Sequence, residues 1–160
     1  MKGMKYIIVG AVAGGASTAA RLRRMDEQSQ IIMFEKGEFI SYANCGLPYY
    51  IGEVIRDRNA LFVQTAANFR KRFNIDVRVK SEVTGIDRER KTVTVHNHLT
   101  GETYKESYDK LVLSPGADPV RPPLPGIDLE GIFTLRNVPD TDRIKEYARQ
   151  HLGGHAVVVG

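Results

Sequence analysis

The apolar residues of this chain fall into two rhythms. Tyr6, Ile7, Ile8 and Val9 form an unbroken apolar run that stops at Gly10, and residues 31–34 form a second run that stops at Glu35. Between them, small residues lead into a helix-like stretch over residues 15–24. Short unbroken runs are the mark of strands buried on both faces, so this opening predicts strand, tight turn, helix and a second, parallel strand with a right-handed crossover. Residues 66–73 predict a short helix and residues 76–80 an alternating strand.

The rhythm then changes. Residues 82–87, 91–97 and 103–108 alternate apolar and polar positions, with turn-prone breaks that include Thr100-Gly101, and predict an antiparallel meander. Residues 110–114 return as an apolar strand, stopped by Pro115-Gly116. Four prolines between Pro119 and Pro125 suggest a linker or a wall. Asp140 is the expected N-cap of a helix reaching about residue 150, which Gly153-Gly154 would end. Residues 155–160 repeat the opening: Val158-Val159-Gly160 echoes Ile8-Val9-Gly10. The expectation is a chain that stops at the first strand of a further nucleotide-binding unit.

Composition narrows the class. A chain of 160 residues, 42% hydrophobic and 26% charged, has the balance of a globular domain. Its most apolar stretch, residues 6–20, is interrupted by Gly10, Gly14, Gly15, Ser17 and Thr18, so no membrane span is expected. Lys2 and Lys5 ahead of that stretch imitate a secretory leader, but the glycine spacing reads better as nucleotide binding. A single cysteine excludes an internal disulfide, and a reducing cytoplasm is the expected setting. The net charge of +4 gathers in short clusters at residues 21–24, 70–72 and 88–91. These read as solvated or locally paired faces, and no nucleic-acid partner is expected because no nucleic-acid motif accompanies them.

Three constellations carry candidate chemistry. In Gly10-Ala11-Val12-Ala13-Gly14-Gly15 a glycine-rich turn follows a strand and opens a helix, so backbone amides can face a pyrophosphate without intervening side chains. Val12 stands where a middle glycine is usual. Glu35 ends the second strand twenty positions beyond Gly15, where a carboxylate accepts ribose hydroxyls. The alternative is a structural glycine turn beside an ordinary surface glutamate.

Second, Ser17, Arg21, Arg24 and Gln28 are spaced four, three and four apart and share one helix face. That stripe reads either as a solvated side or as a holder of phosphates. Third, Cys45 lies in Ser41-Tyr42-Ala43-Asn44-Cys45-Gly46-Leu47-Pro48-Tyr49-Tyr50. A lone cysteine is often a small buried hydrophobe. Glycine and proline after it indicate a helix start, where the dipole and unpaired amides favour thiolate. With no second thiol nearby, such a thiolate works through a mixed disulfide with a substrate or through a sulfenic acid. His96 and His98 share a strand face and His151 and His155 are four apart, but nothing completes a metal site, and none is expected.

These segments, with Phe34-Glu35-Lys36, residues 109–117 and Phe133-Thr134-Leu135-Arg136, resemble the coenzyme A disulfide reductase group of the FAD-dependent pyridine nucleotide-disulfide oxidoreductases, in which valine at position 12 is usual. The resemblance covers nearly the whole chain. It implies an α/β fold: a Rossmann-like FAD-binding domain with a parallel sheet and an antiparallel three-stranded meander. Residues 1–118 would be the N-terminal part of that domain with the redox cysteine, 119–154 a linker and helix, and 155–160 the first strand of an NAD(P)-binding domain. Gly10, Ala11, Val12, Ala13, Gly14, Gly15, Glu35 and Lys36 would hold the ADP half of FAD, Val83 would meet the adenine through its backbone, and Ser114 and Gly116 would lie near the cofactor. Ser17, Arg21, Arg24, Ser41, Asn44 and Lys71 or Arg72 match positions near coenzyme A. The implied activity passes hydride from NAD(P)H to FAD and reduces coenzyme A disulfide, a coenzyme A persulfide or polysulfide through Cys45, in a full-length homodimer. The rival readings are an NADH oxidase or peroxidase working through a cysteine sulfenic acid, and a non-catalytic dinucleotide-binding module.

Overall fold

The computed structural model describes residues 3–159. Lys2 and Gly160, which entered the reading above, lie outside them. In chain order the elements are β1 (Lys5–Val9), α1 (Gly14–Met25), β2 (Gln30–Phe34), a 3-10 turn (Asn44–Gly46), α2 (Leu47–Ile51), a second 3-10 turn (Arg58–Leu61), α3 (Ala66–Phe73), β3 (Asp76–Arg78), β4 (Ser81–Asp87), β5 (Thr92–Asn97), β6 (Thr103–Ser107), β7 (Lys110–Leu113) and α4 (Val138–Gln150). They pack as two units: one runs to Tyr42 and resumes at Phe62–Gly116, and the other joins Ala43–Leu61 to the chain from Ala117 onward.

The first unit is built on a parallel sheet in the order β3-β2-β1-β7. Ile7 pairs with Ile32 and with Leu111, and Ile8 with Met33 and with Val112. The unbroken apolar runs are explained by burial on both faces. Ile8, Ile31 and Met33 pack with Ala16 and Ala19 of α1 and with Phe69 of α3. Ile7, Ile32 and Phe34 pack against Val93 and Val95 of β5. β4, β5 and β6 form the expected antiparallel meander, with a bulge between Val83 and Gly85.

α1 stops at Met25, so Gln28 leaves the stripe it was expected to share with Ser17, Arg21 and Arg24. Arg23 is the reason the chain turns there. Its guanidinium donates to the carbonyls of Phe73 (2.8 Å), Asn74 (2.9 Å), Glu27 (2.8 Å), Ser29 (2.8 Å) and Asp26 (3.3 Å), closing the ends of α1 and α3 together. β3 is shorter than expected because the chain bends at Lys80, whose φ is 51°.

In the second unit α2 and α4 pack together. The cap of α4 is Asn137 rather than Asp140. The Asn137 side chain accepts from the Asp140 N–H at 2.9 Å, while Asp140 accepts from the Asn137 N–H at 3.2 Å, a reciprocal capping box. Asp140 is therefore the third helical residue, and Pro139 falls in the first turn, where its missing N–H costs nothing. Residues 155–159 are not assigned to a strand, and Val157, Val158 and Val159 are exposed. Among the described residues no helix is long and apolar enough to cross a membrane.

Candidate functional site

The glycine turn closes between β1, β2 and β7. Gly10 has φ +88°, and a Cβ there would lie 2.0 Å from the Ser114 carbonyl oxygen. A Cβ on Gly15 would lie 1.7 Å from the Gly10 oxygen, and one on Gly14 2.4 Å from Ser114 Oγ. The first and last glycines are therefore demanded by backbone meeting backbone. Ser114 is the floor of the turn, its N–H bonded to the Val9 oxygen at 2.8 Å. Val12 is accommodated half-buried in the loop. α1 starts with no side-chain cap and no acidic residue in its first turn, which leaves its first amides without a side-chain acceptor among the described residues.

Glu35 is fixed at the rim of this turn. Its Oε2 accepts the Ala11 N–H at 2.9 Å and its Oε1 accepts the Gly37 N–H at 2.9 Å. Each carboxylate oxygen keeps further acceptor capacity, which is what two ribose hydroxyls require. The Glu35 N–H donates to the Arg78 carbonyl at 2.9 Å, so β3 positions it. Arg78 in turn bonds Asp76, Tyr104 and Glu106. Burial works against its charge, but these partners hold its pKa above the ordinary guanidinium value. Burial likewise works to raise the Glu106 carboxyl; hydrogen bonds from Lys5 and Arg78 outweigh it and hold the group below the usual carboxylate range. Lys36 is exposed beside Glu35, Val83 is half-buried on β4 opposite Val95, and Gly116 is exposed with φ +75°.

Ser41 belongs to the same constellation. It holds a left-handed φ of 47°, donates its N–H to the Ala11 oxygen at 2.9 Å and accepts from the Val63 N–H at 2.9 Å. A non-glycine residue kept there is strained, and the two backbone bonds hold the strain in place. Ser17, Arg21 and Arg24 lie exposed along α1, and among the described residues neither arginine has an ion-pair partner. On α3, Arg70, Lys71 and Arg72 are all exposed, and the Arg70 guanidinium turns back to donate to the Val77 carbonyl.

Asn44 and Cys45 stand in the second unit, both exposed, and the Cys45 thiol is free. Their turn is closed by the Gly46 N–H to the Ala43 oxygen at 2.9 Å. Gly46 is buried, and a Cβ there would press on Leu61 Cδ2 at 3.2 Å. Two residues after Cys45 α2 begins, with Pro48 in its first turn. Of the histidines, His98 Nε2 lies 3.0 Å from Glu82 Oε2, and His96 Nδ1 lies 3.0 Å from Thr103 Oγ1. Among the described residues no three His, Cys, Asp or Glu side chains gather as metal ligands would.

Sequence reasoning missed Gly37, whose N–H fixes Glu35, although a glycine two residues after an acidic strand end is a visible signal. It also missed Arg23, which resembles its solvated neighbours in every local respect.

The family described as pyridine nucleotide-disulphide oxidoreductase matches residues 4–160. The chain belongs to that family. A Coenzyme A disulfide reductase of Staphylococcus aureus (strain JH9) is 47% identical over 156 residues, which is 98% of this chain and 35% of the relative. Among solved structures, reduced Bacillus anthracis CoADR-RHD is 58% identical with a TM-score of 0.92 over 94% of this chain and 27% of its own. An NAD-dependent persulfide reductase from A. fulgidus is 36% identical, with a TM-score of 0.87 over 92% and 27%. A water-forming NADH oxidase from Lactobacillus brevis is 28% identical, with a TM-score of 0.87 over 92% and 32%. The chain thus spans between about a quarter and a third of the length of these relatives.

Proposed function

We propose that this chain supplies the dinucleotide-holding and thiol-bearing part of an FAD-dependent NAD(P)H oxidoreductase that reduces coenzyme A disulfide, or a coenzyme A persulfide or polysulfide, through Cys45. The observation that carries the reading is an exposed, sole cysteine in a closed turn, in a chain 58% identical to reduced Bacillus anthracis CoADR-RHD.

The residues fit the ADP half of FAD. No side chain can grow from Gly10 or Gly15 into the turn, and Glu35 presents a fixed carboxylate at its rim. Gly10 to Gly15 would hold the pyrophosphate, Glu35 and Lys36 the ribose region, the Val83 backbone the adenine, and Ser114 and Gly116 would stand near the ring system. FAD held there would supply the two electrons, drawn from NAD(P)H, needed to reduce the Cys45 mixed disulfide, with release of the second coenzyme A thiol and return of the Cys45 thiolate.

Cys45 itself does the sulfur chemistry. Its thiolate attacks one sulfur of coenzyme A disulfide, the S–S bond of the substrate breaks, and one coenzyme A thiolate leaves as the Cys45 mixed disulfide forms. Ser17, Arg21, Arg24, Ser41, Asn44, Lys71 and Arg72 would hold the coenzyme A portion, the exposed cations facing its phosphates. In its full-length form the protein would work as a homodimer in the reducing cytoplasm, where a single free thiol persists.

The second reading, an NADH oxidase or peroxidase using a Cys45 sulfenic acid, is favoured by the likeness to the Lactobacillus brevis enzyme. Arg21 and Arg24, exposed and without an ion-pair partner among the described residues, weigh against it, because oxygen and peroxide need no phosphate-binding stripe. Replacing Cys45→Ser in the full-length protein tests the role: flavin content should be retained and disulfide reduction abolished. Turnover that survives the change would sink it.

A further inference from the structure

Lys145 on α4 is only 5% exposed, and the chemistry above does not use it. Its ammonium donates to the Tyr50 carbonyl at 2.7 Å, lies 3.9 Å from the centroid of the Tyr50 ring, and stands 3.7 Å from Glu53 Oε1. A buried ammonium is costly unless its surroundings compensate. Here the partners belong to one feature, the far end of α2 and the turn that leaves it.

α2 has five residues, far too few to stand alone. A cation at its C-terminal end complements the helix dipole and adds a charged donor to the Tyr50 carbonyl, which also accepts the N–H groups of Gly52 and, at 3.3 Å, Glu53. At its other end α2 is continuous with the turn bearing Cys45, since the Leu47 N–H bonds the Asn44 oxygen. α4 holds the same region once more: Arg58 makes a two-pronged contact with Asp142, and the 3-10 turn that Arg58 opens ends at Leu61, whose carbonyl accepts the Ala43 N–H at 2.8 Å.

We infer that Lys145 is a positioning residue for Cys45: by clamping the C-terminal end of α2 it fixes the direction in which the preceding turn presents the thiol. The inference rests on the reading of Cys45 as the redox thiol.

The test uses the full-length, flavin-loaded protein with Lys145→Met, which keeps the buried stem and loses the donors, and with Tyr50→Leu, which removes the ring beneath the ammonium and leaves the carbonyl. Lys145→Arg serves as the conservative variant. Lys145→Met should retain flavin content and a cooperative melt, with kcat for disulfide reduction down about tenfold or more and the KM for NAD(P)H unchanged. Amide exchange across residues 47–52 should rise about tenfold in the same variant. Tyr50→Leu should lose part of the activity and Lys145→Arg recover part of it. A Lys145→Met kcat within about twofold of the parent overturns the inference. So does a loss of turnover, in Lys145→Met and Tyr50→Leu alike, that only follows the loss of folded, flavin-loaded protein. Cys45→Ser separates the two ideas: turnover retained there sinks the thiol reading, while turnover lost there and intact in Lys145→Met sinks the positioning role alone.

Discussion

Glu35 Oε2 accepts the backbone N–H of Ala11 at 2.9 Å, so the carboxylate just after β2 is tied to the glycine turn just after β1. Glu35→Gln places an amide group against one of the two backbone N–H donors. Flavin or ADP affinity of the full-length protein should fall by about 1–3 kcal/mol, roughly 5- to 150-fold, as measured by flavin content and ADP titration. Unchanged affinity would return Glu35 to an ordinary surface role.

Gly15 and Gly101 make a matched pair. A Cβ on Gly15 meets the Gly10 oxygen at 1.7 Å, whereas one on Gly101 meets nothing within 4 Å and costs only its left-handed φ of +74°. Gly15→Ala should destabilise by about 3 kcal/mol or more and Gly101→Ala by about 1 kcal/mol, in denaturant melts of the full-length protein. Equal costs would contradict the backbone contact.

Arg23 closes the ends of α1 and α3 through five carbonyls, a geometry that a lysine cannot reproduce. Arg23→Lys should lose about 2–4 kcal/mol of stability. Arg21→Lys and Arg24→Lys, on the exposed face of the same helix, should be nearly silent in the melt.

Acid should weaken the link between the meander and β1. The Glu106 carboxyl is held below its unfolded value, so its contribution is complete above the ordinary carboxylate range and is lost as pH falls through the lowered value. Melting temperature should decline in that acid window, and Glu106→Gln should flatten the decline. An unaltered acid limb would exclude the group.

Legibility followed burial and repetition. β1, β2 and the meander were readable because strands buried on both faces give unbroken apolar runs and half-buried ones alternate. The glycines were readable because backbone contact permits nothing else at positions 10 and 15. Hidden were features set by partners distant in sequence. Arg23 reaches Phe73 and Asn74, and no local pattern separates it from Arg21. Asn137 and Asp140 both suit a cap, and only the reciprocal bond between them assigns the roles. Lys145 reads as a surface lysine until its contact with Tyr50 is seen.

The most direct measurement follows NAD(P)H consumption and thiol release by the purified full-length protein, with coenzyme A disulfide and then with oxygen or peroxide alone. Thiol release that depends on coenzyme A disulfide and disappears in Cys45→Ser is the predicted result. Turnover driven by oxygen or peroxide, with no thiol released from coenzyme A disulfide, would contradict it.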